Sequence, residues 1–273
     1  MDDRRRRFAE LHSIFERELH EHRRALIGWG AGLVAYAAVM LASFTAVRDN
    51  HEISKLLGSY PKAFRDMFGI TDYASGPGYL RAEIFSLVGP LLIIILAVLW
   101  GSDVTAGEEE RGTRDILMAN PVSRRRVVAE KWAAVAVGVT LVTAVFGLVI
   151  GLGAPVVGMR VPTADLVAVL VATDLIAILF ATVALALAAA SGRRAIARGV
   201  AAVLAVASYL ASSLAELVGW LRPVRPFSPW YHALGIDPLT VGFAPWHLAL
   251  LVGLVAAFAV LAAVSFERRD LAV

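Results

Sequence analysis

Long apolar blocks separated by charged segments make up the pattern of hydrophobic and polar positions along this chain. Each block is close to the roughly 20 residues that an α-helix needs to cross the hydrocarbon core of a bilayer. Six buried helices of this kind in a soluble protein would leave too little polar chain to cover them. The pattern therefore predicts an all-α membrane protein with six transmembrane helices, at approximately 25–47, 84–100, 132–157, 164–190, 199–220 and 246–266.

The segment before the first block has a different pattern. Apolar residues recur at helical spacing at Phe8, Leu11, Phe15 and Leu19, with charged residues between them. A helix with one apolar face and one charged face suits the surface of a membrane. Residues 1–24 are therefore predicted to form a cytoplasmic interfacial helix before a six-span membrane domain of residues 25–273. The alternative is a charged helix that simply begins the first span.

Arginine and lysine are concentrated in alternate connecting segments. The N-terminal segment, the loop of about 101–131, the loop around 191–198 and the tail after residue 266 are rich in them. These four segments lie on one side of a six-span chain, and basic loops stay on the cytoplasmic side. Both termini of this multi-pass protein are therefore predicted to be cytoplasmic, in the cell membrane.

The outer loops are then about 48–83 and 221–245. The first is expected to hold a short amphipathic helix followed by a turn at 76–78, where the sequence reads Gly-Pro-Gly. The second is too broken by prolines to span a membrane. Its aromatic residues suit the outer interface or a re-entrant piece.

Composition supports a membrane protein and excludes several other classes. The 273 residues are 58% hydrophobic and 18% charged, and the formal net charge is +3. Because the basic residues sit beside apolar blocks, the lipid bilayer is expected as a partner and nucleic acid is not. The absence of cysteine excludes disulfides and cysteine-based catalysis or metal sites.

The loop between the second and third blocks carries dense charge of both signs. An acidic run begins after Gly107, a helix-prone piece follows, and Asn120-Pro121 breaks the chain. Ser123 can then cap a new helix that runs into the third span. From these features alone, two interpretations stay open: a short helix that transmits force from a cytoplasmic partner, and a plain positively charged connector.

The sequence Gly-Glu-Glu-Glu-Arg-Gly-Thr at 107–113, then Ile-Leu-Met-Ala-Asn-Pro-Val-Ser-Arg at 116–124 and Lys131, resembles permease subunits of the type 2 ABC exporter family. That family includes antibiotic, drug and polysaccharide exporters. The tail Phe-Glu-Arg-Arg-Asp-Leu at 266–271 resembles the same family, as do the six spans, the amphipathic start and the extended first outer loop. The resemblance covers essentially the whole chain.

The resemblance implies a dimeric permease, built with a second copy or a paralogous permease, and two separate ABC ATPase subunits on its cytoplasmic face. It also implies that the loop after the second span contains the coupling helix. At or near the ATPase contact it places Glu108, Glu109, Glu110, Arg111, Gly112, Thr113 and Arg114, and the neighbouring Ile116 and Leu117 would supply an apolar anchor.

ATP and Mg²⁺ would be bound by the partner ATPase. This chain has no Gly-x-x-x-x-Gly-Lys-Ser/Thr phosphate loop, and its loops are too short for a nucleotide-binding domain. No cofactor is therefore expected in this chain, and its role is expected to be that of a transporter subunit and not of an enzyme.

Three further residues are candidates for translocation or helix packing. Asp174 lies deep in the fourth span, where a carboxylate is costly and often functional. The alternative role for Asp174 is a hydrogen bond between helices, with Thr140, Thr173 or Thr182 as its partner. Pro90 is expected to kink the second span, and Glu216 lies near the outer end of the fifth.

Two other functions stay open. A zinc protease would need a motif such as His-Glu-x-x-His, whereas the chain has His20-Glu21-His22, and Asp174 has no second deep carboxylate beside it. A non-transporting membrane anchor or sensor is the other alternative. For a transporter, spans rich in Ala, Val and Leu suit a small hydrophobic or amphipathic cargo such as a drug, an antibiotic or a lipid-like molecule, whose export would give antibiotic resistance.

The predicted orientation can be tested by cysteine labelling, because the chain has no cysteine of its own. A cysteine introduced at Ser75 should react with a membrane-impermeant maleimide added outside intact cells. A cysteine at Ser123 should react only after the cells are permeabilised. The reverse pattern of labelling would contradict cytoplasmic termini.

Overall fold

The computed structural model describes residues 13–48, 50, 56, 58–61, 64–65, 70, 72–110 and 124–268. Every regular element in these ranges is a helix, and six helices are long and apolar enough to cross a membrane. This confirms the predicted all-α membrane fold with six spans. The six helices are α1 (Ile14–Arg48), α2 (Val88–Glu110), α3 (Arg124–Val156), α4 (Thr163–Ser191), α5 (Arg194–Ser213) and α6 (Pro245–Arg268).

The helices alternate in direction, as contacts between their ends show. Trp100 near the end of α2 contacts Glu18 at the start of α1, and Arg125 at the start of α3 pairs with Glu267 at the end of α6. The bundle therefore has a terminal end, which holds residues 14, 103, 125, 194 and 267. The opposite end holds residues 48, 76, 156, 213 and 245.

Helix α4 lies at the centre of the bundle and packs on α2, α3, α5 and α6. In its most apolar stretch 72% of the residues are buried by other helices, against 17% in α1 and in α6. Small residues permit a close approach to α2: a Cβ added to Gly101 would lie 2.3 Å from the carbonyl oxygen of Ala181. Small residues of this kind let membrane helices pack at short range.

Helix α1 is continuous across the predicted boundary between residues 24 and 25. Its 35 residues correspond to a length of about 52 Å at 1.5 Å per residue, more than a hydrocarbon core of about 30 Å requires. Residues 14–24 are thus continuous with the first span, because no Gly or Pro interrupts the chain before Gly28. The interfacial position predicted for residues 1–24 stays a prediction. Residues 1–12 lie outside the described part of the chain.

The second span begins earlier than predicted, at Gly76. The Ser75 hydroxyl accepts a hydrogen bond from the Gly78 amide at 3.1 Å, and Pro77 occupies the first turn of the helix Gly76–Tyr79. A serine cap followed by proline is typical of a helix start. The turn expected at 76–78 was therefore wrong, because these residues form the first turn of the second span. The amphipathic helix expected before them falls mostly outside the described residues.

Tyrosine hydroxyls tie α1 to this second span. Tyr79 donates to the Met40 carbonyl at 2.8 Å, and Tyr36 donates to the Glu83 carbonyl at 2.5 Å. Tyr73 donates to the Glu83 carboxylate. Burial raises the pKa of the Tyr73 phenol well above its ordinary value, and the bond to Glu83 acts in the same direction. The Tyr73 hydroxyl therefore keeps its proton and stays a donor at physiological pH.

The chain between α5 and α6 folds back between the helix ends at the opposite end. Helix α5 stops at Ser213, seven residues before the predicted end of the fifth span, and short turns follow. We call residues 214–244 the returning segment. Trp230, Ala233 and Leu239 are buried in it, against α4 and α5. The segment therefore packs against the helix ends, and prolines at 223, 226 and 229 explain why no long helix forms. Its position in the outer interface or as a re-entrant piece stays a prediction.

Replacing Gly101 by alanine, which adds one methyl group, tests the close approach of α2 and α4. Gly101→Ala should lower the free energy of unfolding by about 1–3 kcal/mol, the usual cost of overpacking. Gly199→Ala is the matched control, since no atom lies within 4 Å of an added Cβ there. Thermal unfolding of the purified protein in detergent measures both. Equal melting temperatures for the two variants would contradict the close packing.

Candidate functional site

The loop between α2 and α3 is the predicted contact with the ATPase, and the structure describes the two helix ends that hold it. Glu108, Glu109 and Glu110 belong to the last turn of α2, so the loop is shorter than the predicted 101–131. The side chains of residues 106–110 lie outside the description. So do the remaining predicted contact residues, which are Arg111, Gly112, Thr113, Arg114, Ile116 and Leu117.

Eight polar side chains from four helices meet at the base of this loop, and we call them the terminal cluster. Two come from α1, three from α2, one from α3 and two from α5. They are Glu18, His22, Trp100, Ser102, Asp103, Lys131, Arg194 and Arg198.

Glu18 is the buried carboxylate of the terminal cluster, with 6% of its surface exposed. Its Oε1 accepts a hydrogen bond from Trp100 Nε1 at 3.1 Å and lies 3.1 Å from His22 Nδ1. The His22 ring stacks on the Trp100 indole at 4.7 Å, and Lys131 interacts with Glu18 through its charge. These contacts fasten the start of α1 to the end of α2.

Asp103 joins the same cluster to α5. Its Oδ1 lies 2.9 Å from Arg194 Nη1 and 3.8 Å from Arg198 Nη2. Arg198 also donates through Nε to the Ser102 hydroxyl at 2.9 Å, and His22 Nε2 lies 3.9 Å from Asp103 Oδ2. One carboxylate therefore connects α1, α2 and α5 within a single charged network.

Lys131 connects the two ends of the loop directly. Its side chain is 1% exposed, and its Nζ donates to the Val104 carbonyl at 2.5 Å. The neighbouring Glu130 accepts from the Ile14 amide at 3.0 Å. The start of α3 is thus held to the end of α2 and to the start of α1. The Arg125–Glu267 pair at 2.5 Å extends these contacts to α6.

These contacts join the ends of α2 and α3 to α1 and α5. Removing one partner of a buried charge pair costs about 3–5 kcal/mol, so Glu18 holds its neighbours firmly. The Asp103 pairs are partly exposed and contribute less. The stronger of the contacts between these helices therefore lie at Glu18.

Sequence reasoning missed the terminal cluster and treated its charges as topology signals. A local signal was present: Glu18 and His22, and likewise Arg194 and Arg198, are four residues apart and share a helix face. Nothing local indicated that these faces meet. Three members, Glu18, His22 and Asp103, are of residue types that can bind metals, but arginine and lysine match their charges. No group of three or more such residues among those described is placed so that it could hold a metal ion.

Asp174 is the polar residue within the spans that the sequence singled out. Its Oδ2 accepts a hydrogen bond from the Thr140 hydroxyl of α3 at 2.8 Å. Its Oδ1 is buried and has no hydrogen-bond partner among the described residues. Of the three partners expected from the sequence, Thr140 is the one that the structure shows. Thr173 bonds its own helix, and Thr182 accepts from Trp132.

The other two candidates lie toward the opposite end and do not join this site. Pro90 is the third residue of α2 and is preceded by a π-helical turn at Leu80–Phe85, so the second span is irregular directly before it. Glu216 ends a short turn after α5, at Leu214–Glu216, and its side chain lies outside the description.

Comparison with known proteins identifies the family of this chain. Residues 12–271 of the 273 match the family described as ABC-2 family transporter protein. No individual curated protein matches the chain. The six apolar helices agree with a membrane family of this kind. The chain therefore belongs to the ABC-2 transporter family, as a multi-pass membrane protein with the role of a permease subunit and not of an enzyme.

Proposed function

We propose that this chain is the membrane-spanning subunit of an ATP-driven exporter. It forms the pathway for a hydrophobic or amphipathic cargo, such as a drug, an antibiotic or a lipid-like molecule, together with a second permease copy or a paralogue. Two separate ABC ATPase subunits bind ATP and Mg²⁺ and dock on the cytoplasmic face. The family match over residues 12–271 is the observation that carries this proposal.

The terminal cluster supports coupling through the loop between α2 and α3. Asp103 and Lys131 lie close to the two ends of this loop, and both bond across helices. An ATPase that displaces residues 108–117 therefore moves α1 and α5 as well, because the cluster joins these helices to the loop. With both termini in the cytoplasm, the terminal end faces the ATPase and the returning segment faces outward.

An apolar groove supports a hydrophobic cargo. It lies between α1 and the second span, has a volume of about 510 Å³, and is open to the outside of the bundle. Cavities of about 300–1,000 Å³ suit drug-sized ligands. The groove is open beside Gly28 and Gly32, since no atom lies within 4 Å of a Cβ added at either residue. Its lining consists of Ala25, Gly28, Trp29, Gly32, Leu33 and Leu92.

Asp174 is expected to serve transport, because one of its oxygens is buried without a hydrogen bond and a carboxylate within a span is costly. Asp174→Asn keeps the size and the bond from Thr140 but removes the charge. It should lower the transport rate several-fold at an unchanged melting temperature, measured in proteoliposomes with the ATPase. Thr140→Val is the matched control, since it removes the hydrogen bond and keeps the carboxylate.

Two outcomes would contradict a transport role for Asp174. If transport and melting temperature of Asp174→Asn both equal those of the wild type, the residue has no such role. If the melting temperature alone falls, Asp174 serves helix packing.

Charge reversal at the end of α2 tests the coupling. Replacing Glu109 and Glu110 together by Lys should weaken ATPase docking or reduce the amount transported per ATP hydrolysed. The reason is that a charged contact which re-forms each cycle is reversed in sign. Membrane insertion should be intact, because added basic residues reinforce the cytoplasmic bias. Co-purification of the ATPase and the ratio of transport to hydrolysis measure the two effects.

The matched control makes the same change in charge on α1, by replacing Glu16 and Glu21 with Lys. Glu16 is exposed, and Glu21 forms only a surface pair with Arg17, so little should be lost. If the Glu109→Lys, Glu110→Lys protein inserts correctly and shows normal docking and normal coupling, the coupling role is contradicted. The loop would then be a plain positively charged connector.

A further inference from the structure

Two histidines face each other at the opposite end of the bundle, outside the site described above. His232 lies in the π-helical turn Tyr231–Gly235 of the returning segment, and His247 lies in the first turn of α6. Their Nδ1 atoms are 2.7 Å apart, which is hydrogen-bond distance. The His232 side chain is buried, with 7% of the residue exposed. The contact therefore joins the returning segment to α6.

The surroundings of His232 determine which nitrogen carries the hydrogen. Its Nε2 lies 2.7 Å from the Pro226 carbonyl oxygen, and a carbonyl oxygen can only accept. Nε2 must therefore be the N–H of His232, which leaves Nδ1 of the neutral ring as an acceptor. His247 must then donate through its own Nδ1–H, and its Nε2 is left with the lone pair.

A first added proton strengthens this contact. It can go to Nε2 of His247, which leaves the Nδ1–H donor in place and makes the ring a cation. A hydrogen bond from a charged donor is shorter and stronger than one between neutral groups. Mild acidification therefore keeps the two rings together.

A second proton breaks the contact. The lone pair that remains is on His232 Nδ1, at 2.7 Å from the N–H of His247. Protonation there sets two N–H groups and two positive charges against each other, and neither ring then has an acceptor for the other. The pair binds a second proton only by moving apart.

The neighbouring groups do not offset a second charge. Neither ring has a carboxylate as a hydrogen-bond partner in the described part of the chain. Arg225, on the preceding turn, stacks over the Tyr231 ring at 4.9 Å. Titratable groups nearby on the packed elements include Tyr209 on α5, Tyr231 beside both rings, Asp165 on α4 near Gly242, and Asp237, which pairs with Arg81.

The backbone between the two histidines includes one non-glycine residue in the left-handed region. Between them lie Asp237 at a φ of 59° and Gly242 at 71°, and a non-glycine residue in the left-handed region is held there by its surroundings. The returning segment also covers a small polar cavity of about 60 Å³, lined by residues that include Arg81, Ser212 and Asp237. Release of the segment would open this cavity.

We propose that His232 and His247 form a proton-sensitive clasp. Their hydrogen bond holds the returning segment against α6 at neutral and mildly acidic pH, and protonation of both rings in a more acidic medium releases the segment from α6. The clasp goes beyond the export function, and it does not depend on an ATPase.

Distance measurements between spin labels on the permease alone in lipid nanodiscs test the clasp. Nitroxides are attached at Phe227→Cys, in the returning segment, and at Val260→Cys, on α6, both at exposed positions. Double electron–electron resonance should give a narrow distance distribution at pH 7.5 and at pH 6. The narrow component should be lost at pH 4.5. A second pair, at Val203 and Val260, should be unchanged and so report that the bundle stays folded.

Variants separate the clasp from other effects of acid. In His247→Asn the amide reaches the place of Nδ1 and can donate or accept, so the distribution should stay narrow at every pH. His232→Leu should be broad already at pH 7.5. His20→Asn, a histidine change at the terminal end, should keep the wild-type response. A wild-type distribution that does not change with pH, a His247→Asn protein that still opens in acid, or a narrow His232→Leu distribution would each overturn the proposal.

Discussion

Hydrocarbon offers no hydrogen bonds, so every polar group within a membrane bundle must find a partner in the protein itself. Within the spans, the hydroxyls of Thr143, Thr173 and Thr182 each bond a carbonyl four residues back in their own helix. At the terminal end, the charged groups of the terminal cluster bond one another across helices. Asp174 Oδ1 and the Thr105 hydroxyl are buried in the described helices without a hydrogen-bond partner, and this is why we propose a functional role for Asp174.

The two ends of the bundle are built differently. At the terminal end, directional charged contacts join α1, α2, α3 and α5. At the opposite end the chain is built from π-helical and 3₁₀ turns, which include Leu80–Phe85 and Tyr231–Gly235. Charged contacts between helices therefore mark one end of the bundle, and short irregular turns mark the other.

Helix boundaries show where local signals are incomplete. The six spans were predicted correctly, because long apolar runs leave few alternatives. Helix α1 begins earlier than its apolar run, since charged residues without Gly or Pro do not stop a helix. The second span begins at Gly76 because Ser75 caps it, although Gly-Pro-Gly more often marks a turn. Helix α5 ends at Ser213, and the apolar residues after it pack as short turns against α4.

The sequence by itself determined the fold class, the six spans and the family resemblance, because apolar run length and short motifs are local properties. The tertiary structure decided which side chains meet. Trp100 is 82 residues from Glu18, and Arg194 is 91 residues from Asp103, so no spacing in the sequence indicates these pairs. The central position of α4, the choice of Thr140 as the partner of Asp174 and the facing rings of His232 and His247 likewise depend on how the helices pack. Distances between side chains of different helices exist only once the bundle has formed.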